Sequence, residues 1–268
     1  MGLDASDSEK YKIKYSYLFT GESAKLTIAT SGNVGIGTTN PLTLLHLSSP
    51  TSIAGVRMDA TGGRAYSINS VAGTNPRFSL IDNSANSERM VIDSAGNVGI
   101  GTTNPGATLD VNGTTRTKVV EITGGSDLSE QFEVNAMQNR GQASVEPGIV
   151  VAIDPDNPGK LAVSRMAYDR KVAGIISGAG GIKPGMLMSQ TGSMADGNHP
   201  VVLTGRVYCR ADASNGPIEP GDLLTTSHIP GHAMKVTDYA QAQGAVLGKA
   251  MTGLKEGAGL VLVLVTLQ

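Results

Sequence analysis

Gly32-Asn33-Val34-Gly35-Ile36-Gly37-Thr38-Thr39-Asn40-Pro41 recurs without a change as Gly96 to Pro105, 64 residues later. The flanks match as well. Leu26-Thr27-Ile28 precedes the first copy and Met90-Val91-Ile92 the second; Leu45-His46-Leu47 follows the first and Leu109-Asp110-Val111 the second. Each copy reads as strand, tight turn, strand, proline break, strand. Apolar residues alternate with polar residues or glycine, the period of a half-buried strand. Ser31-Gly32-Asn33 and Ala95-Gly96-Asn97 supply residues that tolerate positive φ in a hairpin turn. Pro41 and Pro105 lack the N–H that a β-ladder needs, so each ends its strand.

A unit of this size offers two or three apolar side chains per strand, and a lone hairpin is marginal in water. Val34, Ile36, Val98 and Ile100 therefore need a partner surface. Three chains around a common axis would bury them. Gly35 and Gly37 flank Ile36, and glycine in a strand marks a place where another backbone comes close. The expectation is that this backbone belongs to a neighbouring chain.

Working outward, residues 48–87 read as a small inserted β module, with short alternating pieces at Arg64–Ile68 and Arg77–Ile81. The repeat region spans 1–118. A connector at 119–145 holds a strand-like Val119-Val120-Glu121-Ile122-Thr123, a glycine turn, a short helix opening at Ser126 or Asp127, and a loop over 138–145. From 146 to 268 the pattern changes to many short apolar runs separated by Gly, Pro, Asn or Asp, which suggests a β-barrel or sandwich. Glu146-Pro147-Gly148, Lys183-Pro184-Gly185 and Glu219-Pro220-Gly221 have the Pro-Gly of type II turns, and leave open either a pseudo-symmetric barrel or three unrelated turns. Leu260 to Val265 lacks polar alternation, which predicts a central strand covered on both faces. The fold class is all-β: fibre-like trimeric repeats followed by a compact barrel or sandwich.

Composition agrees with chains that bury surface between subunits. There are 35 Gly and 12 Pro, aromatics are 4% with no Trp, and charged residues are 16%, against roughly 25% in an average soluble domain. A net charge of −2 with scattered signs offers no basic stripe for nucleic acid. No apolar run approaches the roughly 18 residues of a helical membrane span. The polar N-terminal stretch reads as no secretory signal.

GNVGIGTTNP after an Leu-Thr-Ile strand, followed by a short Leu-x-Leu or Leu-x-Val strand, resembles the repeat of phage tail-fibre and tail-spike proteins and of phage-like bacterial surface proteins. Val119 to Leu128 together with 146–268 is similar to a C-terminal domain of uncharacterised bacterial phage-like proteins. The matching stretches there are 172–181, 203–210, 216–227, 230–235 and the ending at 259–268. That domain is in turn similar to the autoproteolytic chaperone modules of phage appendages, which trimerise a fibre and are then cut off. Those modules carry a helical coiled-coil tail, and no such pattern precedes Gln268, a departure that counts against release. The resemblance covers most of the chain outside about 48–87. It implies a homotrimeric structural protein on a virion or extracellular appendage, with a host-surface receptor or glycan as a further partner. The alternatives are a self-cleaving trimerisation chaperone and a glycan- or receptor-binding tip.

Residues with chemistry to offer are few. Gly35-Ile36-Gly37 and Gly178-Ala179-Gly180-Gly181 lack the strand–loop–helix setting and the Lys-Ser/Thr of a phosphate loop. His228 and His232 with Asp222 could hold zinc, but Pro230-Gly231 between them opposes a shared helix face. Ser227-His228 with Asp222 or Asp238 is the one compact nucleophile–base cluster, and sequence adjacency is not triad geometry. Asp154, Asp156 and Asn157 suggest calcium, but Pro155 and Pro158 favour a rigid turn and EF-hand spacing is absent. Cys209 follows Val207-Tyr208 in a run that predicts a strand, where an isolated Cys reads as a small core residue. The 7 Tyr and 3 Phe are few for stacking on sugars. No catalytic, cofactor-binding or metal-binding residues are therefore assigned, and no cofactor.

Overall fold

The computed structural model describes residues 11–13, 26–49, 53–135 and 145–266. The chain is nearly all β, with 44% strand and 3% helix. It divides into two compact units, Met1–Lys118 and Val119–Gln268. Residues 138–144 and Leu267 lie outside the described residues, so the loop expected there and the end of the last strand are not placed.

Unit 1 holds two sheets. The first, in the order β1 (Tyr11–Ile13), β2 (Leu26–Ile28), β3 (Val34–Ile36) and β4 (Leu45–Leu47), contains the first repeat copy. The second contains β5 (Ile53–Met58), β6 (Tyr66–Val71), β7 (Arg77–Asp82), β8 (Ser87–Ile92), β9 (Val98–Ile100) and β10 (Leu109–Val111), in spatial order β10-β9-β8-β7-β6-β5. The strands of the stretch expected as an inserted module continue into the second copy's sheet, β7 pairing directly with β8.

The two copies share one register. Leu26 opposes Ile36 and Ile28 opposes Val34; 64 residues on, Met90 opposes Ile100 and Ile92 opposes Val98. After the second strand of each copy the chain re-enters parallel to it, Val34 beside Leu45 and Val98 beside Leu109. Parallel neighbours usually need a crossover of a dozen or more residues. Here the Thr-Thr-Asn-Pro loop makes the crossover by lying against the sheet. A Cβ on Gly35 would sit 2.7 Å from the Thr38 carbonyl oxygen, and one on Gly99 would sit 2.5 Å from that of Thr102. A close backbone approach to these glycines thus comes from within the same chain. Glycine is required because the loop crosses directly over it.

Unit 2 is built on one long strand. Its elements are β11 (Asp127–Phe132), β12 (Val134–Asn135), β13 (Val150–Ile153), β14 (Leu161–Val163), β15 (Val172–Ile176), β16 (Pro184–Met188), β17 (His199–Asp212), β18 (Leu223–Thr226), β19 (Ala233–Lys235), α1 (Tyr239–Ala242), β20 (Val246–Ala250) and β21 (Ala258–Thr266). The first part of β17 pairs with β11 and β15, and its second part with β21 and β19. Partners change near Gly205, which has φ +113. The order β17-β19-β18-β20-β21 returns to β17, so five strands close a small barrel. Its interior holds Val207, Cys209, Leu224, Leu247, Val261 and Val263. Val134, Ile149, Val151, Leu161, Val163 and Ile176 form a second cluster under β12 to β15.

Four expectations change here. Asp127 begins a strand, not a helix, and Val119–Thr123 forms no strand and is exposed. Gly148 and Gly221 have the positive φ of their Pro-Gly turns, whereas Pro184-Gly185 begins β16; the threefold turn pattern fails at its middle member. The last strand is central, paired on both edges, but only one of its faces is covered. Val261, Val263 and Val265 are fully buried while Leu260 and Leu264 are exposed.

Candidate functional site

Unit 1 turns its apolar side chains the opposite way from an ordinary domain. In a pleated sheet, paired residues on neighbouring strands point to the same face. One such row across the six-stranded sheet is Val56, Ile68, Leu80, Met90, Ile100 and Val111. All six are half-buried or exposed; Val56 keeps 45% of its surface and Ile100 44%. The alternate row on the reverse face runs through Asn69, Ser79, Val91 and Gly99, and every one of these is buried. Pro41 aside, Val91 is the only apolar side chain buried among the described residues of unit 1.

The four-stranded sheet repeats the arrangement. Ile28, Ile36 and Leu45 are exposed on one face, and Thr27 and Gly35 are buried on the other. Val34, Ile36, Val98 and Ile100, the residues expected to meet a partner, thus share the open face of their sheets. The sequence did not single out Val56, Ile68 and Phe78, which extend that face into β5 to β7. Their alternation was visible, but which side faced out depended on pairing with the second copy.

Electrostatics fixes one end of the six-stranded sheet. Asp82 is buried and accepts from Arg64 and Arg89, each at 2.8 Å. The Arg89 guanidinium, with help from Arg64 and the Ala85 amide, holds this carboxyl below the usual range despite burial. Arg77 and Glu88 form a forked pair at 2.9 Å on the reverse face. They border a cleft of about 630 Å³ that also meets Asn86, Thr102, Thr103 and Asn112.

The residues considered for chemistry are occupied otherwise. Ser227 is buried, and its Oγ accepts from the Ile229 amide at 3.0 Å. Its hydroxyl neighbour is Asp212: burial alone would raise that carboxyl, and the Ser214 and Ser227 hydroxyls bring it below its ordinary value. Asp222 accepts from Lys235 at 2.8 Å, and Asp238 caps α1 by accepting from the Ala240 and Gln241 amides. Neither expected carboxylate is bonded to Ser227 or His228. His228 is exposed, and His232 pairs through Nδ1 with the Pro230 carbonyl. Asp154 is buried and filled by donors, from Asn135 at 2.8 Å, Asn157 at 3.0 Å and the Asp156 amide at 3.0 Å. That is the environment of a turn-fixing carboxylate, not of a cation ligand. Among the described residues, no cluster of three or more His, Cys, Asp or Glu could hold a metal ion. Burial pushes the Cys209 thiol far up, which disfavours thiolate. Gly180 makes room for an aromatic ring, since a Cβ there would strike Tyr208 at 2.2 Å.

No protein-family model matches this sequence, and no curated protein matches it. The site must be read from its own geometry: a paired set of open apolar sheet faces in unit 1, joined by chain to a barrel with a filled core.

Proposed function

We propose that the chain is a structural, homotrimer-forming segment of a phage tail fibre or phage-like surface appendage, carried on a virion or outside the cell. One observation supports this most strongly. Among its described residues unit 1 buries a single large apolar side chain, Val91, while Ile36, Val56, Ile68, Phe78, Ile100 and Leu109 remain open. Apolar burial is the main term that offsets the backbone entropy lost on folding. Such a unit needs other chains to complete its core. Tandem copies with one register suit a shaft, in which the same contact repeats along an axis. The barrel of unit 2, with its own filled core, suits a terminal cap or a binding tip.

Chemical cross-linking of the full chain tests the reading. A ladder of one, two and three chains that stops at three is expected. A single-chain band at concentrations where the protein is folded contradicts it.

A further inference from the structure

We infer that the open face of β5 to β10, including the strands between the two repeat copies, is a dry subunit interface whose occupant is a second copy of this chain. The inference rests on the homotrimer reading above and goes further, since it assigns Val56, Ile68 and Phe78 to the contact.

Three observations lead to that occupant. The face is broad, and its only charges among the described residues lie at one end, where Asp82 is paired with Arg64 and Arg89. Six strands about 4.8 Å apart, with outward residues every ~6.8 Å, give a surface of roughly 25 by 15 Å. That is about 400 Å² of contiguous apolar surface, the size at which an exposed patch is often an interaction site. Beside the row from Val56 to Val111 runs a second row of Ala54, Ser70, Phe78, Ile92, Val98 and Leu109. Neither row has a charged side chain, so nothing in them opposes close approach by the same surface.

The chemistry also recurs. Ile28, Val34, Ile36 and Leu45 form the same kind of face in the four-stranded sheet, in the same register. A partner that covers both faces must carry two matching apolar surfaces 64 residues apart in its own chain. A second copy has them by construction. Together the two faces approach the scale of the roughly 800 Å² per partner found in stable associations.

The reverse face, finally, leaves little for a partner to bury. Ser67, Asn69 and Ser79 are already buried there, and the Thr102–Pro105 loop returns over Gly99. Ile53 is exposed there beside Arg77, but the continuous apolar rows lie on the other side, and this arrangement favours face-on stacking over edge pairing.

The test uses the full chain. Hydroxyl-radical footprinting reads side-chain oxidation at Met58, Met90 and Phe78 against Met194, which is 73% exposed in unit 2. Light scattering reads assembly for the unmodified chain and for Ile68→Glu. Protection of Met58 and Phe78 at least about tenfold below Met194 is expected, with association of Ile68→Glu weakened roughly a hundredfold or more because a charge is buried unpaired. If the chain assembles but Met58 and Phe78 oxidise like Met194 and Ile68→Glu assembles normally, this interface is overturned and the trimer reading stands. If the unmodified chain is monomeric, both fall. Footprinting needs no variant, so a misfolded Ile68→Glu leaves the answer intact.

Discussion

Thr27 and Val91 occupy the same position in two copies of one β unit, both sealed from solvent, and only Thr27 carries a polar group there. Thr27 opposes Gly35 as Val91 opposes Gly99. Val91 fills its site with two methyl groups. Thr27 places a hydroxyl in the equivalent site, and its Oγ1 has no hydrogen-bond partner among the described residues.

A buried donor without a partner costs about 1–3 kcal/mol. Thr27→Val should therefore raise stability by roughly 1 kcal/mol or more, seen as a higher melting temperature and slower amide exchange in β2 and β3. Val91→Thr should lower it by a similar amount. Equal and negligible effects at both positions would mean that water reaches the Thr27 site.

Val263 and Leu264 separate the two faces of the last strand. Val263→Ala removes two buried methyl groups and leaves a cavity in the barrel, a loss of about 2 kcal/mol. Leu264→Ala changes an exposed side chain and should stay within roughly 0.5 kcal/mol. Denaturant unfolding of both variants checks the pair. A comparable loss at Leu264 would show that the outer face of β21 is covered after all.

Acid should act on the six-stranded sheet through Asp82. Its folded pKa lies below the unfolded value of about 3.9. The contribution is therefore complete above that value and disappears as pH falls through the lower, folded pKa. Asp82→Asn should weaken the sheet by a constant amount above about pH 5, with the difference from the parent chain shrinking below about pH 4. A stability difference that does not depend on pH across this range would remove the two arginines as the cause.

The crossover loop gives another check. Gly99→Ala would place a Cβ 2.5 Å from the Thr102 carbonyl oxygen. Overpacking of this kind costs about 1–3 kcal/mol, and Gly35→Ala, at 2.7 Å from Thr38, should behave alike. Gly96 has open space around it but φ +86, so Gly96→Asn should be milder than Gly96→Val. Thermal melts of the four variants order these effects.

Much of this fold could be read from the repeat and from β-period alternation. The strands around Val34, Val98, Ile175 and Val207 all lie within apolar runs with turn residues beside them. What escaped notice has a common cause. In β11 the buried side chains are Asp127 and Ser129, which bond to each other at 2.6 Å while Asp127 also accepts from Ser177 at 2.8 Å. A strand whose inward residues are polar looks like a turn. The reverse holds at Val119–Thr123, where an apolar run is exposed and forms no strand, and at β21, where an unbroken run of Val and Leu hid a sorting of valines inward and leucines outward. For the candidate site, the repeat identified Val34, Ile36, Val98 and Ile100, but the outward direction of Val56 and Ile68 depends on pairing through β7 and β8, which is nonlocal.

The mass of the full chain in solution, measured by light scattering across a micromolar dilution series, tests the central claim most directly. A value of about three times 27.5 kDa that persists on dilution is predicted. A folded species of 27.5 kDa at every concentration would contradict it, because the open faces of unit 1 would then be stable in water without a partner.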